Sequence, residues 1–597
     1  MSAERPLEAG ACPVGRADRH SWRGSLVWLA ILAAVGAGIY LPTLGNGFVF
    51  DDQLIVVFQG RNWENESLWS RLKTDYWGDR RIDLLYRPVT SATYLLNYRW
   101  SGDRPECYRA VNIVLHAACC CCLFGLSCAL FGDRRLAGLA AAVFAVHALH
   151  VEAVVQIVGR AELLAALCAL LALWLYVADA QRRQGRPTWR YPVALSLMAL
   201  SMFSKESGIA VIGLAAFYDV WSVRFDRSRQ ALAASGGPAP TPHARGGGRV
   251  IARVALHRWV AMLVVVAVVL AIRVQVLGQL AQSQRAIGKM DNPVAHASTI
   301  GRALTPVVLL GKYVGLLIWP HPLCHDYSYN AIPICETPLD LRFGWGVLCI
   351  SAMAVGAALS YRGRGVVLWA VVFFVLSYAL ISNTLVLSGT IFAERLMYLP
   401  SVGFCWLVAL VGIAAADRIP DSLDLQRSGW WVMGPIFAVL CSVHVLLTVR
   451  RGAEWKSERA LVASALRVTD QSVRIDLQAG TFALHDKDLS TAIRHFERAV
   501  QIMDDHMFAH FHLGRACLMT GEPLRAIRHL RRCVGRLPAE ANHAPAQLLG
   551  QAYRDIGMPD EAAHWFTRAE QLKRKHPPGS KSLFRYKPAM PESAVSP

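Results

Sequence analysis

The sequence predicts an all-α fold: a polytopic transmembrane helical domain followed by a C-terminal α-solenoid of tetratricopeptide repeats. Three observations carry that prediction. Hydrophobic residues make up 54% of the 597 residues and charged residues only 18%. The apolar residues gather into runs long enough to cross a bilayer, separated by short polar clusters. Beyond residue 454 the pattern changes to a repeat with small residues at fixed positions.

The apolar runs place spans near 25–42, 108–131, 136–149, 161–179, 191–204, 209–223, 258–277, 343–360, 366–382, 396–416 and 430–449, about eleven in all. No small-residue cleavage site follows the first run, so it reads as a retained helix after a polar cytoplasmic tail, 1–24. Residues 42–107 then form a long first outer loop, and 277–342 a second outer region. Within the second, "ALTPVVLLGKYVGLLIWP" (303–320) carries two prolines and a lysine and reads as a re-entrant or interfacial helix. The Gly/Pro/Ala-rich stretch 230–248 has no periodicity and reads as a flexible cytoplasmic linker.

The formal charge of +19 arises from 62 Lys and Arg against 43 Asp and Glu. Its placement argues for membrane topology rather than nucleic acid. Basic residues collect in "GDRR" (132–135), "QRRQGRPTWR" (181–190) and "YRGRG" (361–365), and no aromatic-basic surface is evident. With the N-terminus cytoplasmic and 303–320 not crossing, those loops fall inside and the repeats outside. That arrangement fits a bacterial inner membrane with periplasmic repeats, or an endoplasmic reticulum membrane with luminal ones. Most of the 15 cysteines read as packing residues, as in the run Cys119 to Cys122. Cys324 and Cys335 share one loop and could pair if it lies outside.

In the last part, Gly480, Gly514 and Gly550 are each followed twelve residues later by Ala492, Ala526 and Ala562, and four further on by Phe496, Leu530 and Phe566. Spacings of 34 and 36 residues, with small residues where two helices touch, identify tetratricopeptide repeats over 454–574, opened by a half repeat at 454–468 and followed by a disordered tail, 575–597. Their concave face, with His510, His512, Arg515 and Asn542, suits an extended protein segment, either an acceptor or another subunit. The array reads as separable, so that deleting 471–597 would spare transfer to small acceptors.

The polar motifs sort to one side of the membrane. Asp51 and Asp52, Arg87 in "YRPV", His147, His150 and Glu152 in "HALHVEAV", Arg160 and Glu162 in "GRAE", Lys205 and Glu206 in "SKES", His325 and Asp326 in "HPLCHDYSY", and Glu394 with Arg395 in "FAERLMYLP" all land on the outer face. Charged groups are costly at a membrane boundary and tend to mark function there. Each motif also has a structural reading: Asp51 and Asp52 as helix caps, the histidines as a satisfied interfacial network, Glu394 and Arg395 as an ion pair. The i, i+3, i+5 spacing of His147, His150 and Glu152 lacks the geometry of a helical zinc pair, so no metal site is predicted, although a divalent metal stays possible. No Walker motif and no Ser or Cys nucleophile constellation is present. Transfer from a lipid-phosphate donor to a hydroxyl fits these parts: a carboxylate takes the acceptor proton while Arg or Lys neutralises the phosphate. A membrane-anchored repeat scaffold without catalysis and a transporter are the competing classes.

Taken together, "FVFDDQLIV", "LLYRPVTSATYLLNY", "AVHALHVEAVVQIVGRAELLAAL", "SKESGIAVIGLAAFYD", "DNPVAHASTIGRALTP", "LLIWPHPLCHDYSY", "AERLMYLPSVGF" and the repeats resemble the transmembrane and tetratricopeptide-repeat-containing protein O-mannosyltransferases and their bacterial relatives, over roughly 40–574. The resemblance implies a GT-C glycosyltransferase architecture over 25–449, a catalytic acidic pair at Asp51 and Asp52, a polyprenyl- or dolichyl-phosphate hexose donor, with mannose as the family's hexose, and a protein acceptor. On that basis the reaction is inverting, with Asp51 as the favoured general base, Asp52 orienting it or the acceptor, and Arg87, Arg160, Lys205 or Arg395 on the donor phosphate. His150, Glu152, Glu162, Glu206, His325, Asp326 and Glu394 complete the expected substrate-binding set. The repeat array is shorter than is usual in the family, so the acceptor is expected to differ.

Overall fold

The computed structural model describes residues 21–60, 63–77, 85–182, 187–234, 247–279, 287–361, 365–418, 428–537 and 541–575. Most of the N-terminal tail, most of the 230–248 linker, the centre of "YRGRG" and the C-terminal tail lie outside the described residues. The membrane domain contains α1 (Ser21–Gly38), α2 (Leu68–Leu72), α3 (Pro88–Ser101), α4 (Pro105–Phe131), α5 (Arg134–Val146), α6 (Val151–Val155), α7 (Arg160–Ala180), α8 (Arg190–Ser204), α9 (Ala210–Ala234), α10 (Gly247–Leu277), α11 (Thr299–Ile318), α12 (Leu341–Ser360), α13 (Val366–Tyr378), α14 (Ser401–Ala416) and α15 (Ser428–Glu454). The repeats follow as α16 (Glu458–Ala465), α17 (Val473–His485), α18 (Leu489–Ile502), α19 (Met507–Met519), α20 (Pro523–Cys533), α21 (His543–Asp555) and α22 (Pro559–Lys575).

Each expected span coincides largely with helix, but among the described residues seven helices are long and apolar enough to cross a membrane, or eight with one bent pair. The shortfall has a local cause. α5 stops at His147, whose Nδ1 accepts the Leu149 N–H at 3.2 Å, and the chain bends by 53° into 148–155. α13 and α14 are likewise short, and the segment 379–400 between them carries Ser382, Asn383, Thr384, Glu394 and Arg395. Polar motifs thus end helices that the hydropathy pattern runs straight through.

The 303–320 segment is one continuous helix, α11, with Pro306 inside it and enough length and apolarity to span. Its connections favour the interfacial reading. Asp291 before it and Asp326 after it both bond Arg474, so the chain leaves from and returns to one residue. A crossing helix would have to bring one flank back through the bilayer.

The repeat helices stack as antiparallel pairs, and their glycines explain why. A Cβ on Gly514 would lie 2.7 Å from Leu530, and one on Gly480 would lie 2.5 Å from the Phe496 ring. Side-chain caps start these helices: Ser457 for α16, Ser472 for α17 and Asp488 for α18. The array is joined to the membrane domain through a shared apolar core that includes Leu309 and Leu317 of α11, Met397, Val462 of α16, and Ile475 and Ala479 of α17. Backbone bonds close the seam, Asn330 N to Gln471 O at 2.7 Å and Val473 N to Tyr329 O at 3.0 Å.

Candidate active site

Asp51 and Asp52 follow Phe50, which sits at φ +53°, a left-handed conformation that a bulky residue adopts only when its surroundings impose it. That kink and the π-helical turn Gln53–Phe58 turn the two carboxylates to different environments. Asp52 is fully buried: its Oδ1 accepts the Val158 N–H at 3.0 Å, and its Oδ2 faces the Val49 N–H at 3.5 Å. Burial pushes its pKa up to about 7 against those bonds and nearby Arg109. Asp51, a quarter exposed, faces a cavity of about 1520 Å³ with Arg395 Nη2 4.0 Å away. Burial raises its pKa above the ordinary carboxylate value, opposed by Arg395 and Arg474.

Four basic side chains of the membrane domain, Arg87, Lys205, Arg273 and Arg395, line this cavity. Glu206 bridges Arg87 and Arg273, each at 2.9 Å. Burial would raise Glu206, but the two guanidiniums outweigh it and hold it at about 2, so the trio carries a surplus positive charge. Lys205 pairs with Glu162, and burial, then Arg87 and Arg395, pull its ammonium well below the usual range. Arg395 is held by Glu152, which pairs with its guanidinium and accepts its backbone N–H at 2.9 Å. Close by, Val269 and Leu270 of α10 and Met202 and Phe203 of α8 give the cavity an apolar flank.

The repeats contribute to the lining through Arg474, Leu477 and Gln478 of α17. Arg474 donates to Asp326 Oδ1 at 2.8 Å and also pairs with Asp291, while Ser328 and Ser472 donate to Asp326 Oδ2 at 2.6 and 3.1 Å. Burial works against the Asp326 charge, and Arg474, His325 and the two hydroxyls more than offset it, leaving the carboxyl below its ordinary value. His325 packs edge-on against Phe50, 5.3 Å between ring centres, and burial lowers it to about 4. Arg474 and its neighbour Gln478 were not singled out in the sequence because they stand inside a repeat, where polar residues are ordinary. The array is therefore not separable in the expected way: cutting at 471 removes one wall of the cavity.

Several expected site residues lie elsewhere. Arg160 is fully buried, donating to Asn112 and Asn97 side chains at 3.0 and 2.9 Å and to the Tyr108 carbonyl at 2.9 Å. His150 is buried between the Phe144 carbonyl and Ser401, each at 2.9 Å, and His147 bonds the Leu317 carbonyl at 2.9 Å. Glu394 accepts the Cys324 N–H at 2.6 Å and the Tyr327 hydroxyl at 2.9 Å, with Arg451 at 3.4 Å, and is fully buried behind the cavity. In the repeats, His510 stacks on His529 and Asn542 caps the Gly535 N–H, whereas His512 and Arg515 line the cavity. Cys324 and Cys335 are both free thiols, bonded to the carbonyls of Asp326 and Thr337. Among the described residues no three His, Cys, Asp or Glu side chains converge on a common metal position.

These features define a multi-pass helical membrane protein whose charged cavity is closed by tetratricopeptide repeats. A family model described as "Protein O-mannosyl-transferase TMTC, DUF1736" matches residues 282–354, the segment of α11, most of α12 and the loop carrying His325 and Asp326. Protein O-mannosyl-transferase TMTC3 of Mus musculus and that of Homo sapiens are each 30% identical over 500 residues, covering 82% of this chain and 52% of the relative. Human protein O-mannosyl-transferase TMTC4 is 28% identical over 506 residues, covering 78% of this chain and 65% of the relative. The chain is thus similar to the TMTC proteins over most of its own length and spans about half the length of the TMTC3 relatives it matches. A crystal structure of MamA covers 27% of this chain and 87% of that one at 18% identity, with a TM-score of 0.18, too low to bear on the fold.

Proposed function

We propose that this protein is an inverting glycosyltransferase that moves a hexose, mannose by the names of its relatives, from a polyprenyl-phosphate donor to a hydroxyl of a protein acceptor. The observation that carries the reading is Asp51: a carboxylate of raised pKa facing a cavity that has an apolar flank and, beside it, two guanidiniums, Arg87 and Arg273, sharing the single carboxylate of Glu206. The prenyl chain lies against Val269, Leu270 and Phe203, and its phosphate meets Arg87, Arg273 and Lys205. Asp51 takes the proton of the acceptor hydroxyl as that oxygen attacks the anomeric carbon. The bond from that carbon to the phosphate oxygen breaks, and its electron pair leaves on polyprenyl phosphate. The leaving phosphate gains negative charge as the bond breaks, so the cations stabilise the transition state more than the bound donor. Asp52 does not reach the cavity; by holding the Val158 and Val49 N–H groups it positions the loop that carries Asp51. The active cavity and repeats lie on the outer or luminal face, with the N-terminus cytoplasmic.

Single replacements test the division of labour. With polyprenyl-phosphate mannose and purified protein, Asp51→Asn should lower the transfer rate about 10²- to 10⁴-fold, the range of a general base. Asp52→Asn should cost less in rate and more in thermal stability, because a buried carboxylate that accepts N–H bonds is replaced by a group that must find new partners. Full activity in a folded Asp51→Asn protein would overturn the assignment.

A further inference from the structure

The cavity does not end at Arg474. It continues past Gln478 and Thr481 to α19, where Phe508, Phe511, His512 and Arg515 line it. The arginines nearer Asp51 have carboxylate partners: Arg87 and Arg273 share Glu206, Arg395 has Glu152, and Arg474 has Asp291 and Asp326. For Arg87 and Arg474, burial works against the charge and the carboxylates outweigh it. Arg515 is different. Burial lowers it, and no anionic neighbour among the described residues raises it again.

A half-buried guanidinium without a counter-charge is a desolvation cost that the fold itself leaves uncompensated. Its surroundings do not repair it. His512 beside it is pulled to about 4, by burial first and then by Arg515, and its Nδ1 is buried with no hydrogen-bond partner. Phe508 and Phe511 add flat apolar surface of the kind that holds a peptide at small conformational cost. Such a group is accounted for by an anion that arrives with the ligand.

We propose that α19 forms an acceptor subsite in which Arg515 holds the carboxylate of a Glu or Asp side chain, while a hydroxyl of the same polypeptide lies at Asp51. This rests on the reading of the cavity as the acceptor site. The lipid phosphate is the other possible anion, but the apolar residues of α8 and α10 that suit a prenyl chain stand with Arg87 and Arg273, not with the second repeat. The subsite makes the enzyme selective for hydroxyls in acidic sequence, set by the second repeat rather than by the reacting groups.

The test uses the full-length protein and fluorescent Ser/Thr peptides carrying Glu at successive positions on either side of the hydroxyl, with matched Gln peptides. Binding is read by anisotropy and, separately, transfer by mass. At the favoured position the Glu peptide should bind about tenfold more tightly than the Gln peptide, the scale of one hydrogen bond to a charged partner. Arg515→Gln should abolish that difference, Arg515→Lys should keep part of it, and Arg515→Glu should turn the preference toward Lys peptides, with unfolding temperatures confirming the folded state of each. Equal binding of Glu and Gln peptides, no peptide binding at all, or a preference that survives Arg515→Gln would overturn the subsite, as would weaker binding of polyprenyl phosphate by Arg515→Gln. If the peptides bind with the expected preference and no sugar is transferred, the subsite stands and the transferase reading fails.

Discussion

Arg87 and Arg160 both lie over tyrosine rings, Arg87 at 5.1 Å from the Tyr76 ring centre and Arg160 at 4.9 Å from that of Tyr94. Both come from polar motifs on the same predicted side of the membrane. Yet Arg87 faces a cavity and shares one carboxylate with Arg273, whereas Arg160 spends its nitrogens on Asn112, Asn97 and backbone carbonyls and touches no open space. The same division separates Glu206 from Glu394 and His325 from His150. Residue type and membrane side bring these groups to one level; the direction in which the chain leaves each helix break decides whether a group meets a ligand or holds the scaffold.

Within this comparison the largest effect should come from the two arginines themselves. On the proposed mechanism Arg87→Ala removes a cation from the developing phosphate charge and should cut turnover about 10²- to 10³-fold with little change in unfolding temperature. Arg160→Gln should do the reverse: a loss of about 3 to 5 kcal/mol in stability, from breaking a buried charged network, with turnover of the folded fraction within about threefold of the parent. Thermal unfolding and active-fraction kinetics check both, and a catalytic loss at Arg160 that is not a stability loss would erase the distinction.

Arg474 probes the same comparison from the repeat side. Arg474→Ala leaves Asp326 and Asp291 without their shared cation and should reduce transfer to small hydroxyl acceptors and to proteins alike, by about tenfold, with Arg474→Lys recovering part of it. Loss confined to protein acceptors would mean that the first repeat only recruits.

The fold class was legible because its signals are long: apolar runs of spanning length, and a register of glycine, alanine and a large apolar residue maintained through three repeats. The site was legible in part. Membrane-side sorting of motifs gathered Asp51, Arg87, Lys205, Glu206, His325, Asp326 and Arg395 as candidates, and these do line one cavity. What stayed hidden is conformational or long-range. Nothing local in "GFVFDD" announces the positive φ at Phe50 that sends Asp51 and Asp52 apart, and nothing in "SVRIDL" ties Arg474 to residues 148 and 183 positions earlier. Arg160 was misleading because a buried arginine served by asparagines has no sequence signature distinct from one served by a ligand.

A smaller effect is expected from pH. Asp51 must be ionised to accept a proton, so kcat/KM should be low at acidic pH and rise as pH passes through its raised pKa, a limb lying above the ordinary carboxylate range. Arg395 lowers that pKa; Arg395→Gln should therefore move the limb to higher pH, and Glu152→Gln, which leaves Arg395 freer to face Asp51, should not move it the same way.

The smallest effect should fall at Cys324, which adjoins both regions. His325 and Asp326, the next two residues, line the cavity, while Cys324 itself is buried, its N–H bonded to Glu394 and its thiol donating to the Asp326 carbonyl at 3.1 Å. Cys324→Ser keeps a small donor at that position and leaves the backbone N–H in place, so turnover should stay within about twofold of the parent, and reductant should change neither activity nor unfolding temperature of the parent protein. Cys324→Val removes the donor and should lower stability by about 1 kcal/mol without moving the pH limb. If Cys324→Ser instead shifted that limb, the thiol would be acting on the reacting groups through Asp326, and the boundary between cavity and scaffold would run one residue earlier than the hydrogen bonds draw it.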